Sequence, residues 1–290
     1  MTELAVQRLT RAIGARITDI DCAHVTDEQF GAVERALHRY QLLVFSNQNL
    51  SPVEHADFME RFGELDRHPQ ELSARTTLPL EGHPRVELMA NRPGNYGPRA
   101  SLWHTDVTFR AEPPAVTSLY GIQVPVGCAD TIWASMRQVY EDLSDSMKVL
   151  LSTLRVVHAT AFVMRGADRD VYNPTAEADP QKAGPKAQYR EEVVHPMVHR
   201  HAAGFDTLYV NPAFVSHIED WTKAESNALL DFLYTRAVEP IYTYRHQWSS
   251  GDLVVWDNRC TMHYGVNDYE EEDTRILHRT TGASFEVTPA

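Results

Sequence analysis

His104 and Asp106 stand one residue apart in "SLWHTDVTF", the stretch from Ser101 to Phe109. Imidazole and carboxylate are both ligands for a divalent ion, so the pair is half of a metal site if the two side chains aim the same way. The chain carries its own control. "VEHADFME" holds His55 and Asp57 at the same spacing, so spacing alone leaves two readings open, metal ligands or a histidine beside an aspartate.

The elements that carry the pairs separate them. "SPVEHADFMERFG" reads as a helix, with Ser51 as N-cap, Pro52 at the first helical position, Glu54 completing a capping box and Gly63 as C-cap. Each helical residue turns by about 100°, so positions two apart diverge by about 200° and His55 and Asp57 cannot share one small ion. "WHTDVTF" is β-branched and aromatic with no helix cap, which predicts a strand or extended chain. Residues two apart on a strand face one side, so His104 and Asp106 can converge.

A third ligand has to come from a distant strand. The candidate is His263 in "VVWDNRCTMHYGVNDY", followed by Arg275 and Arg279 in "TRILHRTT". Two histidines and a carboxylate on one face of an octahedron leave three positions open, the arrangement of non-haem Fe(II) oxygenases, which need room for a cosubstrate and dioxygen. The plain alternative for His263 is a core histidine. Its place after the apolar "DLVVWDN" favours a barrel-interior position.

Around these residues the chain reads as many short strands with helices between them. "RLTRAIGARITDID" predicts two short strands around Gly14. "TDEQFGAVERALHRYQ" predicts a helix capped by Thr26 and Gln29, with Phe30, Val33, Leu37 and Tyr40 on one stripe. "LLVFS", "VELMAN", "AVTSLYGIQVP", "DTIWAS", "RVVHATAFV", "EVVHPMVH" and "DTLYVNPAF" read as strands. "MRQVYEDLSDSMKVLLSTL" and "TKAESNALLDFLYTRAV" read as one helix each. The polar, periodless segment 166–190 is expected to be a lid or insertion. Together these predict a mainly β domain over 1–290, a β-sandwich or jelly roll with helices packed outside.

Composition bounds the partners. The 290 residues are 43% hydrophobic and 23% charged, with a formal net charge of −13, which argues against nucleic acid. An anionic substrate would therefore need positive charge supplied locally. Neither a run of ~20 apolar residues nor a signal-peptide h-region is seen, so no membrane is expected. Cys22, Cys128 and Cys260 form no CxxC and no disulfide framework, and a reducing cytoplasm is the simplest compartment. Cys260 reads as a small buried hydrophobe. His158, His195, His199, His201 and His217 read as structural or exposed, and Phe109 and Trp133 as core or pocket wall.

"WHTDVTF", "DTIWAS", "WDNRCTMHYGVNDY" and "RILHR" stand in the order of the signatures of the taurine dioxygenase (TauD/TfdA) family, and the chain resembles that family over nearly its whole length. The resemblance implies a double-stranded β-helix (a cupin-like jelly roll) and an Fe(II)- and 2-oxoglutarate-dependent dioxygenase that consumes O2. It implies that His104, Asp106 and His263 hold the iron. Arg275 would clamp the distal carboxylate of 2-oxoglutarate, assisted by the Thr131 hydroxyl. A planar, permanently charged guanidinium suits that carboxylate.

In the sulfonate-using branch the positions of His68 and Arg279 bind the anionic head, and the Val107 N–H serves the same anion. Glu71 and Ala100 replace the Tyr and Asn of taurine dioxygenase, which argues against taurine itself and not against an anion. The implied reaction is decarboxylation of 2-oxoglutarate to succinate and CO2 coupled to hydroxylation of a small organic anion. Sulfonates or alkyl sulfate esters come first, aryloxyalkanoates or other carboxylates second, and a larger biosynthetic intermediate is a further alternative. A non-catalytic jelly-roll binder is the reading from another class, and Arg275 and Thr131 argue against it. Homo-oligomerisation is implied by the family.

Overall fold

Two three-residue strands, β1 (Val6–Arg8) and β2 (Ala15–Ile17), fold back on each other with Gly14 at φ 91° between them; β2 lies inside "RLTRAIGARITDID" as expected, whereas β1 ends at Arg8, where that stretch begins. The computed structural model describes residues 4–66, 78–93, 102–159, 192–270 and 272–290. The lid expected at 166–190 lies outside the described residues.

Helix α1 (Asp27–Tyr40) starts on the expected capping box: the Thr26 hydroxyl accepts from Gln29 N–H and the Gln29 side chain accepts from Thr26 N–H. After β3 (Leu42–Phe45), α2 (Pro52–Glu60) starts on the same device at Ser51 and Glu54. Its end differs from expectation. The C-cap is Arg61 in right-handed geometry, and Gly63 lies beyond it at φ 148°. Gly63 is needed for a close approach, since a Cβ there would come 2.8 Å from the Ala283 Cβ.

The chain continues through β4 (Leu78–Leu80), β5 (His83–Asn91), β6 (Pro114–Gln123) and β7 (Thr131–Ser135). The expected single helix after β7 is two, α3 (Met136–Glu141) and α4 (Asp145–Ser152). Ser144 restarts the second by accepting from Met147 N–H, so the apolar pattern runs across a break made by one cap. Then come β8 (Arg155–Ala159), β9 (Glu192–Pro196), β10 (Val198–Arg200), β11 (Asp206–Leu208), β12 (Val215–Ile218) and α5 (Lys223–Ala237). The last strands are β13 (Thr243–His246), β14 (Leu253–Asp257), β15 (Thr261–Gly265) and β16 (Arg275–Ser284).

Eight strands form one sheet in the order β1-β2-β3-β14-β6-β16-β5-β4, antiparallel except for the β2–β3 pair. Period-2 alternation gives each face of this sheet its own core. Leu43, Phe45, Leu253 and Val255 pack with Phe30, Leu37, Phe58 and Met59 of α1 and α2. Leu42, Val44, Val254, Trp256, Leu119 and Leu277 point the other way and pack with Trp133 of β7. β7 is the centre of a second sheet, β13-β7-β15. Its outer residues Ala134 and Met262 pack with Leu230, Leu233 and Tyr234 of α5. The result is the expected jelly roll: two facing sheets with helices outside each. Among the described residues no helix is long and apolar enough to cross a membrane.

This layering fixes which side chains enter the space between the sheets. His263 pairs with Trp133 in the β15–β7 register and shares its face. On β16, Arg275, Leu277 and Arg279 lie two apart, and Leu277 is in the inner core, so both arginines share its inner face. Opposite them β5 places Asn91, Met89 and Glu87.

Candidate metal centre and its flanking seats

His104 and His263 sit opposite each other in an isolated antiparallel bridge, His104 N–H donating to His263 C=O at 3.0 Å and His263 N–H to His104 C=O at 2.7 Å. The regular strand allowed for at "WHTDVTF" does not form. His104 is extended at the bridge, and Asp106–Phe109 is a turn closed by Arg110 N–H to Val107 C=O at 3.1 Å. Val107 takes φ 41°, a costly region for a β-branched residue and the kind of outlier that clusters at functional sites.

The surroundings hold that turn in place. Thr105 Oγ1 donates to Thr261 C=O at 2.8 Å, and Asn211 Nδ2 donates to Thr108 Oγ1 at 3.0 Å. His158 Nδ1 pairs with Thr108 Oγ1 at 2.8 Å, while His195 Nε2 meets the Thr108 and Arg110 carbonyls at 3.1 and 3.0 Å. Both histidines are buried, as their structural reading requires, and their work is to moor the strained turn.

The outcome is convergence. One ligand atom each from His104, Asp106 and His263 lies within 4.8 Å of the others. Asp106 Oδ1 is 3.9 Å from His104 Nε2 and 3.8 Å from His263 Nε2. The control pair diverges as expected. His55 is fully buried against Ser118 Oγ at 2.7 Å, and Asp57 pairs outside with Arg85 at 2.9 Å.

The donor set fits a divalent ion. His104 Nδ1 contacts the Leu102 carbonyl at 2.7 Å. A carbonyl only accepts, so Nδ1 carries the proton and Nε2 keeps its lone pair for a ligand. Burial holds His104 below its ordinary pKa and His263 well below it, so both are neutral at physiological pH. Burial opposes ionisation of Asp106, yet the Arg279 guanidinium, with the Thr117 hydroxyl bond, outweighs it and holds the carboxyl well below the usual range. The His263 ring is oriented by packing, with Trp256 at 4.9 Å and Trp133 at 6.4 Å between centroids.

Asp106 is aimed by a relay that sequence spacing did not disclose. Trp256 Nε1 donates to Asn258 Oδ1 at 2.9 Å, Asn258 Nδ2 to Thr117 Oγ1 at 2.7 Å, and Thr117 Oγ1 to Asp106 Oδ2 at 2.8 Å. Oδ1 is thereby left to the metal side. The Trp256 and Asn258 of "WDN" were within reach of a motif reading; Thr117 on β6 was not, because only cross-strand register brings it here.

Two further seats flank the centre. Arg275 is buried on β16 and donates through Nε to Ala129 C=O at 3.3 Å, two residues before Thr131. Among the described residues no carboxylate pairs with it, and burial lowers its pKa. A buried guanidinium in that condition is costly until a carboxylate arrives. The Thr131 hydroxyl accepts from Trp248 Nε1 at 3.0 Å, which leaves its own proton to donate. Arg279 is engaged: Nη2 donates to Asp106 Oδ1 at 2.8 Å and Nη1 to Glu87 Oε2 at 3.1 Å. Glu87 was not singled out by sequence. His68 lies outside the described residues, as do Glu71 and Ala100.

A second group, His38, His201 and Asp257, also clusters. Its chemistry is closed. Arg259 Nε and Nη2 hold the two Asp257 oxygens at 2.8 and 2.7 Å, and His201 spends Nε2 on Asp257 at 3.0 Å and Nδ1 on Ala203 N–H at 3.0 Å. Cys260 beside it is buried, and burial pushes its thiol up.

Comparison with known proteins agrees with this geometry. Residues 5–281 match the family described as taurine catabolism dioxygenase TauD, TfdA. An alkylsulfatase of Acinetobacter baylyi is 32% identical, the match covering 99% of this chain and 87% of that protein. An alpha-ketoglutarate-dependent sulfate ester dioxygenase of Pseudomonas putida is 30% identical over 96% of this chain and 89% of its own. A taurine dioxygenase structure from Burkholderia xenovorans superposes with a TM-score of 0.79 at 28% identity, covering 98% of this chain and 92% of that one.

Proposed function

Since the chain belongs to the TauD, TfdA family and is an Fe(II)- and 2-oxoglutarate-dependent dioxygenase, we propose that its substrate is a small organic anion, an alkyl sulfate ester first and a sulfonate second. His104, Asp106 and His263 hold the iron in this reading, and Arg275 with Thr131 takes the distal carboxylate of 2-oxoglutarate. Arg279, the Val107 N–H and His68 receive the anionic head. Iron chelated by 2-oxoglutarate supplies the activation of O2 that hydroxylates a substrate C–H, with succinate and CO2 as co-products.

The observation that carries the substrate class is Arg279. Its guanidinium touches an oxygen of Asp106, so an anion bound to it sits one side chain from the metal. The carbon that bears the head is then the one within reach. Thr117 keeps Asp106 from rotating. Hydroxylation of a carbon bearing a sulfate ester forms a C–O bond. Loss of the hydroxyl proton then drives collapse to the aldehyde, with the C–OS bond breaking and its electron pair leaving on sulfate. The relatives named alkylsulfatase and sulfate ester dioxygenase support this choice.

The same reading takes 1–290 as one catalytic domain, with 166–190 as a lid. It takes the protein as cytoplasmic, which three free cysteines support, and as a homo-oligomer. Succinate formation measured across alkyl sulfates, alkyl sulfonates and aryloxyacetates tests the substrate class. Stimulation by alkyl sulfates that is lost in Arg279→Ala supports it. Stimulation by carboxylates alone, or turnover of sulfates indifferent to Arg279→Ala, overturns it.

A further inference from the structure

Glu87 is 7% exposed and faces Arg279 across the β5–β16 pair. Its Oε2 accepts from Arg279 Nη1 at 3.1 Å while Nη2 of the same guanidinium reaches Asp106 Oδ1 at 2.8 Å. The cation of the anion seat is therefore already shared between two carboxylates, one belonging to the metal centre and one not. Arg110 is paired with Asp66, its Nη1 donating to Asp66 Oδ2 at 3.1 Å. Asp66 senses both Arg279 and Glu87, so these groups share one electrostatic neighbourhood.

Nothing in the metal chemistry requires Glu87. Asp106 is oriented by Thr117 and held ionised by Arg279. A carboxylate paired to the seat's arginine has a different consequence. It discounts the attraction for every negative charge that docks on Arg279, and the discount grows with the number of charges. A head with one charge meets a guanidinium that still has donors and a reduced field. A head with two charges meets the same donors and twice the repulsion from Glu87.

We propose that Glu87 is a specificity-determining residue that limits the anion seat to singly charged heads, admitting a sulfate ester or sulfonate and rejecting the isosteric phosphate monoester. The proposal rests on the reading of Arg279 as the seat for the substrate head. Sulfate monoesters and phosphate monoesters match in shape and acceptor geometry, but the phosphate is largely dianionic at neutral pH because its second pKa is about 6. Hydrogen bonding alone would not separate the two. A fixed buried carboxylate beside the seat does, because it repels the dianion about twice as strongly as the monoanion in weakly screened surroundings.

The test is an anaerobic equilibrium titration of the Fe(II)- and 2-oxoglutarate-loaded protein with hexyl sulfate and with hexyl phosphate, read by calorimetry. The native protein is expected to bind the sulfate at least about tenfold tighter than the phosphate. Glu87→Gln keeps a carbonyl acceptor for Arg279 Nη1 and removes the charge, so both ligands should tighten and the phosphate should gain more, narrowing the ratio. Glu87→Met provides a second variant if the amide misfolds, with thermal unfolding as the control for both. An unchanged ratio in a folded variant, or a native protein that binds the phosphate as tightly as the sulfate, overturns the proposal. Failure of the substrate reading itself looks different: hexyl sulfate would not stimulate succinate formation in the native enzyme at all.

Discussion

Arg279 Nη2 donates to Asp106 Oδ1 at 2.8 Å, and that same oxygen lies 3.9 Å from His104 Nε2 and 3.8 Å from His263 Nε2. One carboxylate oxygen thus faces the candidate iron position and the cation of the proposed anion seat together. Metal affinity and anion affinity are coupled through it with opposite signs. Arg279→Met should raise affinity for Mn(II) or Fe(II) by about tenfold, since a positive charge leaves the ligand oxygen. The same variant should lose alkyl sulfate binding. Metal titration and ligand titration of one preparation check both halves, and a fall in metal affinity would break the coupling argued here.

The Thr117 hydroxyl holds the other oxygen of Asp106 at 2.8 Å. Thr117→Val keeps the shape and removes the donor, freeing the carboxylate to rotate. Metal affinity should drop by about 10–100-fold, as for other residues that orient a ligand. The cost to folding should be about 1–3 kcal/mol, because Asp106 Oδ2 and Asn258 Nδ2 each lose a partner. Metal titration beside denaturant unfolding separates the two effects.

Arg275 has no carboxylate partner among the described residues and sits buried beside Ala129. Its charge is therefore a stability cost held in reserve for a ligand. Arg275→Met should leave the ligand-free protein as stable as the native one or more so, following the behaviour of buried ions replaced by apolar residues. Binding of 2-oxoglutarate should nevertheless be lost. Arg275→Lys keeps the charge but not the fork, and should still weaken 2-oxoglutarate by about tenfold or more. Calorimetric titration with 2-oxoglutarate and a thermal melt read both; a variant that melts earlier yet binds normally would reverse the assignment.

His55, the non-ligand histidine of the control pair, gives a pH prediction. Burial pushes its pKa down to about 3 from 6.5. The unfolded chain takes up a proton as pH falls through 6.5 and the folded state resists until about 3, so its stabilisation is complete above 6.5 and is lost between those values. His55→Leu should reduce the proton uptake on unfolding by about one, flattening stability against pH by up to about 1.4 kcal/mol per pH unit in that window. Unfolding free energies measured between pH 4 and 6 provide the comparison. An unchanged slope would mean that His55 is not held neutral.

Local sequence carried a good part of this structure. Thr26 with Gln29 and Ser51 with Glu54 announce their helices because both halves of a capping box lie within four residues. The convergence of His104, Asp106 and His263 was legible because ligand type, order and flanking strands point together. What failed locally depends on distant partners. Ser144 caps α4 without an acidic or amide residue at Met147, so nothing nearby marks the break from α3. Val107 adopts φ 41° because His158, His195 and Asn211 moor the next residues from three remote segments. Glu87 and Thr117 enter the site through the register of β5 and β6 with β16, which no spacing along the chain encodes.

The central claim is that His104, Asp106 and His263 form an iron site in which Arg275 and Thr131 seat 2-oxoglutarate. Anaerobic addition of Fe(II) and 2-oxoglutarate, followed by visible absorption, tests it most directly. The predicted result is the weak visible charge-transfer band of the chelate in the native protein, absent from folded Asp106→Ala and His263→Ala variants. A native protein that develops no band with both components present, or variants that retain it, would contradict the account.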